Sequence, residues 1–227
     1  MSKTYVAVKR LLHSIYGKLT SPAILEEQQY FPQAITFRNH WQQLRDEALV
    51  VATRINQIPR FHEIMAEQAS ISANDNKDWR MYILRAYGVD VEDHQKQCPA
   101  LTSLISGNPN ILSATFSFMA PGKVVPTHTG PFRGITRYFL ALDIPEDEQG
   151  KPLAHITIDN ETFYLHSGDD LLWDDTYPHS VNNDSSRYRT VLLMDVLRTD
   201  LPKHLYLLTK IIIKLTAFSI RAKKIFK

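Results

Sequence analysis

The sequence predicts a mostly β fold, a sandwich or barrel, preceded by helices and followed by a basic amphipathic helix. Three patterns lead there. From residue 111 onward, short apolar runs alternate with turn residues at the spacing of an all-β domain. Residues 4–19 and 39–56 instead place their apolar side chains at helical spacing. Beyond residue 200, Lys203, Lys210, Lys214 and Arg221 form one stripe on a helix, set among leucines and isoleucines.

Along the chain, Tyr5, Val8, Leu12, Ile15 and Leu19 mark the first helix, with Gly17 and Ser21-Pro22 at its exit. Leu44, Ala48, Val51 and Ile55 share one face of a second helix. Residues 74–78 (NDNKD) read as a polar turn, and Trp79 to Tyr87 as a strand. A short helix starts at Pro99 and is stopped by Gly107. The strand candidates are ILSATFSFMA, RGITRYFLALDI, LAHITI, ETFYLH, LLW and RTVLLMDVL, with Asp159-Asn160 as a hairpin turn between the third and fourth. These features divide the chain into a helical region (1–73), a β domain (74–200) and a C-terminal helix (201–227).

The 227 residues suffice for one sizeable core. A single cysteine, Cys98, excludes an internal disulfide and a cysteine-rich zinc site and fits a reducing compartment. No secretory signal is expected at the N-terminus. The formal net charge of +2 hides an asymmetry. Residues 1–20 and 201–227 hold 4 and 7 Lys/Arg and no acid, so residues 21–200 keep 15 basic and all 24 acidic residues, a net −9. Basic ends on an acidic body suit a membrane surface that both ends touch, on the cytoplasmic side of the inner membrane. Nucleic acid is disfavoured by the acidic body. The alternative for the C-terminal helix is packing on its own barrel with lysines in water. Its apolar run is broken by Lys210 and Lys214, which argues against a spanning helix.

The chemistry centres on His128, in His128-Thr-Gly-Pro, on His179, in Asp174-Asp175-Thr-Tyr-Pro-His179, and on Arg189. Imidazole is a good ligand for ferrous iron, and an arginine fork suits a carboxylate-bearing cosubstrate. Convergence of these groups inside a barrel points to oxidative chemistry rather than hydrolysis. Asp174 and Asp175 cannot act as a glycosidase pair, because adjacent strand residues point opposite ways. His155 and His166 read as structural.

The segments Phe116-Ser-Phe-Met-Ala-Pro-Gly122, Pro126-Thr-His-Thr-Gly-Pro131, Arg137-Tyr-Phe-Leu140 and Trp173-Asp-Asp-Thr-Tyr-Pro-His179, with Arg189 and Asp195-Val196, together resemble the aspartyl/asparaginyl β-hydroxylases over roughly residues 75–200. Within that family the chain looks most like the bacterial branch that includes lipid A acyl-chain hydroxylases. Lys77-Asp78-Trp79, Ala86-Tyr87-Gly88 and Cys98-Pro99 add to this likeness.

The resemblance implies a double-stranded β-helix (a jelly roll, cupin-like) that uses Fe(II), 2-oxoglutarate and O2. It implies His128 and His179 as iron ligands, Arg189 on the distal carboxylate of 2-oxoglutarate with help from Ser117, and Asp175 orienting a ligand or an iron-bound water. Arg137 would face the substrate, and Arg133 would bind a phosphate or carboxylate of the substrate or lie solvated at the surface. Two positions depart from common patterns. Gly130, two residues after His128, supplies no carboxylate to complete the usual iron triad, which implies modest iron affinity. Phe139 stands where the family commonly has a histidine that assists 2-oxoglutarate. Three functions follow as expectations: a hydroxylase of a membrane lipid such as a lipid A acyl chain, a hydroxylase of Asp or Asn in a peptide or protein, and a barrel that has lost turnover.

Overall fold

The computed structural model describes residues 3–223. Helices α1 (Lys3–Tyr16), α2 (Glu27–Tyr30), α3 (Ala34–Asn39), α4 (Trp41–Ala52) and α5 (Phe61–Ile64) precede strand β1 (Trp79–Ala86) and the short β2 (Val89–Asp90). Then come α6 (Glu92–Gln97), α7 (Pro99–Ser106), β3 (Ile111–Met119), β4 (Val124–His128), β5 (Ile135–Asp143), β6 (Ala154–Ile158), β7 (Glu161–Phe163), β8 (Asp170–Trp173), β9 (His179–Asn183), β10 (Arg189–Leu197) and α8 (Lys203–Lys223). The strands form two antiparallel sheets, one ordered β2-β1-β3-β10-β5-β8 and one ordered β4-β9-β6-β7. Together they make a double-stranded β-helix with helices at both ends of the chain.

The two-residue period of a strand decides what each sheet face does. On β3, β5 and β10 one set of alternate residues is bulky and apolar, including Phe116, Phe118, Tyr138, Leu140 and Leu192. That face packs against Phe31, Phe37, Leu44, Ala48 and Leu101 from the helical segments, forming the largest core cluster. Burial of side chains this size contributes about 1.5–3 kcal/mol each. The opposite set, with Ser117, Met119, Arg137, Phe139, Arg189 and Val191, faces the second sheet, and polar residues occur there.

Local chemistry explains the boundaries. The helix expected over 39–56 ends at Ala52, followed by a 3-10 turn at Ile55–Gln57. Pro59 requires an extended residue before it, and Ile58 has φ −81° and ψ 128°. Asp159 and Asn160 both take positive φ, 48° and 70°, the conformation a two-residue hairpin turn needs between β6 and β7. Strands β4 and β9 lack a clear apolar alternation. Pro126 fits in β4 because that strand is a sheet edge and its register shifts between Val125 and His128.

Helix α8 closes the fold against α1. Tyr16 is fully buried, its hydroxyl 2.7 Å from Thr209 Oγ1 and its ring edge-on to Phe132 at 5.5 Å. Leu201, Leu205, Leu12 and Ile212 complete this cluster. Among the described residues no helix is long and apolar enough to cross a membrane.

Candidate active site

The β4–β9 register sets His128 opposite His179, with ring centroids 4.2 Å apart. Each Nδ1 lies 2.9 Å from the backbone carbonyl two residues earlier, that of Pro126 for His128 and of Tyr177 for His179. A carbonyl only accepts, so Nδ1 carries the proton and the lone pair is left on Nε2. Burial pulls both imidazoles down, His128 to about 4 and His179 to about 3, the latter also through its histidine neighbour. Both are therefore neutral at pH 7, the form that ligates a metal.

Arg189 lies on the same inward face, opposite Met119, while Ser117 lies opposite Val191. The guanidinium is 4% exposed, has Met119 Sδ at 3.5 Å, and sits 4.6 Å over the Phe139 ring. Among the described residues it has no carboxylate partner, and burial alone pushes it down to about 9. A buried cation without a counter-ion is costly unless an anion completes it. Phe139, the departure noted in the sequence, offers the guanidinium its ring face in place of a hydrogen bond. Ser117 Oγ accepts from Trp79 Nε1 at 2.8 Å and remains at the cavity wall beside both histidines and Arg189.

Asp175 is buried, and neither of its oxygens has a hydrogen bond in the structure. Its nearest cation is Arg137 Nη2 at 3.4 Å, and burial holds its carboxyl up at about 7. A side chain at Gly130 would overlap this carboxylate, and the Gly130 N–H donates to the Asp175 carbonyl at 2.6 Å. Position 130 is therefore held to glycine because Asp175 fills the space of its side chain. Among the described residues no three or more His, Cys, Asp or Glu groups are placed to hold a metal. Two neutral imidazoles with the lone pair on Nε2 are the donors available, a donor type that would suit a ferrous ion.

Arg137 lines a cleft with both histidines, and its Nε and Nη2 donate to Asp195 Oδ1 at 3.0 and 2.8 Å. Arg133 lies outside the histidine cavity. It is 3.1 Å from Asp174 Oδ2, donates to Thr176 and to the Leu19 carbonyl, and lies over the Tyr177 ring. Asp174 faces away from Asp175 and anchors Ser21 and Thr176. His166 pairs with Glu146, whereas His155 packs tilted against Tyr164 and lines a small pocket with Phe139 and Arg189.

This cleft, of ≈ 240 Å³, opens beside the histidines. Its apolar walls include Phe61, Ile64 and Met65 around α5, Met81 and Ile83 of β1, and Leu193; Tyr5 of α1, Ile220 of α8, Arg85, Arg137 and Asp195 also line it. Phe61 stacks on Trp79 at 4.3 Å. Helix α1 also braces the histidine loop: Lys9 donates to the Thr129 carbonyl, and His13 Nε2 lies 2.9 Å from the Gly130 carbonyl. The sequence reading missed these residues, since α5 is only four residues long and leaves no periodic signal.

Residues 38–199 match the family model described as Aspartyl/Asparaginyl beta-hydroxylase. The chain belongs to the aspartyl/asparaginyl β-hydroxylase family. One relative in this family is the ornithine lipid ester-linked acyl 2-hydroxylase of Rhizobium tropici, 31% identical over 193 residues that cover 85% of this chain and 66% of that protein. Another is the human aspartyl/asparaginyl β-hydroxylase, 25% identical over 199 residues, 85% of this chain and 25% of the human one. The chain thus spans just under two thirds of the first and a quarter of the second. Solved structures with some likeness include a cupin domain of an Enterobacter cloacae transcriptional regulator (TM-score 0.32, 18% identity, 38% of this chain and 82% of that one). The Schizosaccharomyces pombe Cnp3 cupin domain is a second (TM-score 0.31, 15% identity, 37% and 55%).

Proposed function

We propose that the protein is an Fe(II)- and 2-oxoglutarate-dependent dioxygenase that hydroxylates an acyl chain of a membrane lipid, working at the inner face of the cytoplasmic membrane. The overall reaction converts R–H, O2 and 2-oxoglutarate to R–OH, succinate and CO2. Iron with 2-oxoglutarate would supply the oxygen activation. His128 and His179 would hold the ion through Nε2, kept neutral by burial and oriented by the Pro126 and Tyr177 carbonyls. Arg189 would take the distal carboxylate of the cosubstrate, with Ser117 beside it. Asp175, high in pKa and without a hydrogen-bond donor, would orient solvent at the centre.

The observation that carries the choice of substrate is the cleft lined by the two histidines, mostly apolar but also holding Gln68, Ser113, Thr115, Arg137 and Asp195. Phe61, Ile64, Met65, Met81 and Ile83 suit a methylene chain. Against a peptide Asp substrate, Arg137 is already paired with Asp195 and Asp175. The name of the Rhizobium relative points the same way. Lipid A and an aminoacyl lipid are the two head groups to test.

The test is mass spectrometry of lipids from a Gram-negative host without its own lipid hydroxylase. One oxygen gained on an acyl chain with the intact protein, and none with His128→Ala/His179→Ala, is the expected result. No change with folded, iron-loaded protein would overturn the lipid reading and leave peptide substrates, assayed by 2-oxoglutarate consumption.

A further inference from the structure

Helices α1 and α8 each bury one face on the body and leave an apolar stripe outside. Of the thirteen exposed large hydrophobics among the described residues, seven lie on these two helices, and Leu11, Leu215 and Phe218 are 60, 65 and 71% exposed. On α8, Leu207, Ile211, Leu215 and Phe218 fall within an arc of roughly 80°, counting about 100° per residue. Lys203, Lys210, Lys214 and Arg221 run alongside in a stripe roughly 40° wide. The inward face holds Leu205, Thr209 and Ala217. Helix α1 adds Val8, Leu11 and Ile15, also exposed, along one face.

The charges are as informative as the apolar surface. Among the described residues none of Lys203, Lys210, Lys214 and Arg221 forms an ion pair, whereas Arg38, Arg80, Arg85, Lys123 and Arg198 on the body all do. The terminal segments carry no acid, and residues 21–200 sum to −9. An apolar stripe edged by unpaired cations complements the headgroup region of an anionic bilayer, and the acidic body orients away from it. A symmetric contact with a second copy would set basic stripe against basic stripe. Tyr5 and Ile220, on these same two helices, border the cleft to the histidines.

We propose that α1 and α8 together form a docking face for an anionic phospholipid bilayer, which sets the cleft mouth at the lipid surface. The docking face stands on its own observations, while its purpose rests on the acyl-chain reading.

The experiment is co-sedimentation of the full chain with vesicles of phosphatidylcholine, with and without phosphatidylglycerol. Binding to the anionic vesicles, weakening as salt rises, is expected. Lys210→Glu/Lys214→Glu and Leu215→Glu/Phe218→Glu should each reduce partitioning by about tenfold or more. None of these four residues lines the cleft, so 2-oxoglutarate turnover in vesicle-free buffer should be unchanged and reports correct folding. Equal binding to neutral vesicles, wild-type binding by either double variant, or no binding at low salt overturns the proposal. A dimer in analytical ultracentrifugation, dissociated by Leu215→Glu/Phe218→Glu and blind to vesicles, would assign the face to a second copy instead. Vesicle binding needs neither iron nor cosubstrate. A chain that docks but oxidises no lipid therefore overturns the acyl-chain reading alone, and one that hydroxylates detergent-dispersed lipid without docking overturns this proposal alone.

Discussion

At the site, single atoms exclude one another. The Asp175 carboxylate occupies the volume a side chain at position 130 would need. Gly130→Ala is expected to cost about 1–3 kcal/mol through overpacking, and Asp175→Gly in the same chain should recover much of that loss. A thermal-melt double-mutant cycle measures the coupling, and additive losses would refute the shared space. Arg189 is a buried cation with no carboxylate partner among the described residues. Arg189→Met should raise the KM for 2-oxoglutarate by about 10–100-fold, the worth of a charge-assisted hydrogen bond, while the apo protein keeps or gains stability because an unpaired charge is gone. Unchanged KM in steady-state assays would remove Arg189 from the cosubstrate site. His128, His179, Ser117 and Arg189 were legible as a set because each sits in its own ordered motif. The environment of Arg137 was not, since its pairing with Asp195 crosses 58 residues of sequence.

Among the elements, those with strong periodicity lie where their patterns place them. Helix α1, α7, β1, β3, β5, β6 and β10 each have an apolar period or a Pro or Gly stop. Strands β4 and β9 carry the histidines and lack that signal, because one side of each serves the site and carries polar residues. The short α2, α3, α5 and α6 are also silent, being too brief for a period to show. Helix α1 does more than cover the surface, since Lys9 and His13 reach the Thr129 and Gly130 carbonyls. Removing residues 1–17 should lower the melting temperature and weaken iron binding, because it strips Tyr16 from the α8 cluster and unbraces the loop that follows His128. An unaltered iron titration would confine α1 to the docking role.

For the whole molecule, burial makes stability depend on pH from both sides. His128 and His179 have folded values of about 4 and 3, below the ordinary 6.5, so the neutral forms are favoured by folding. Their contribution in the metal-free protein is present above pH 6.5 and is lost as pH falls through about 4. Glu27 is raised from 4.5 to about 7, by burial first and then by Asp170. Its contribution is present below pH 4.5 and is lost as pH rises through about 7. Glu27→Gln should therefore gain stability relative to wild type at pH 8 and not at pH 4, as read from melting temperatures. An equal shift at both values would show that Glu27 does not titrate with folding.

The sequence by itself determined the antiparallel β architecture, the helical ends, the family and the paired histidines, because turn chemistry, local periodicity and ordered motifs are properties of neighbouring residues. The tertiary structure decided which cations are free and which are spent. Among the described residues Arg189 has no acidic partner, Arg137 and Arg133 are engaged with acids, and a cleft opens beside β1 and α5. Those outcomes depend on partners far apart in the chain, brought together only when two sheets face each other and the terminal helices close over them.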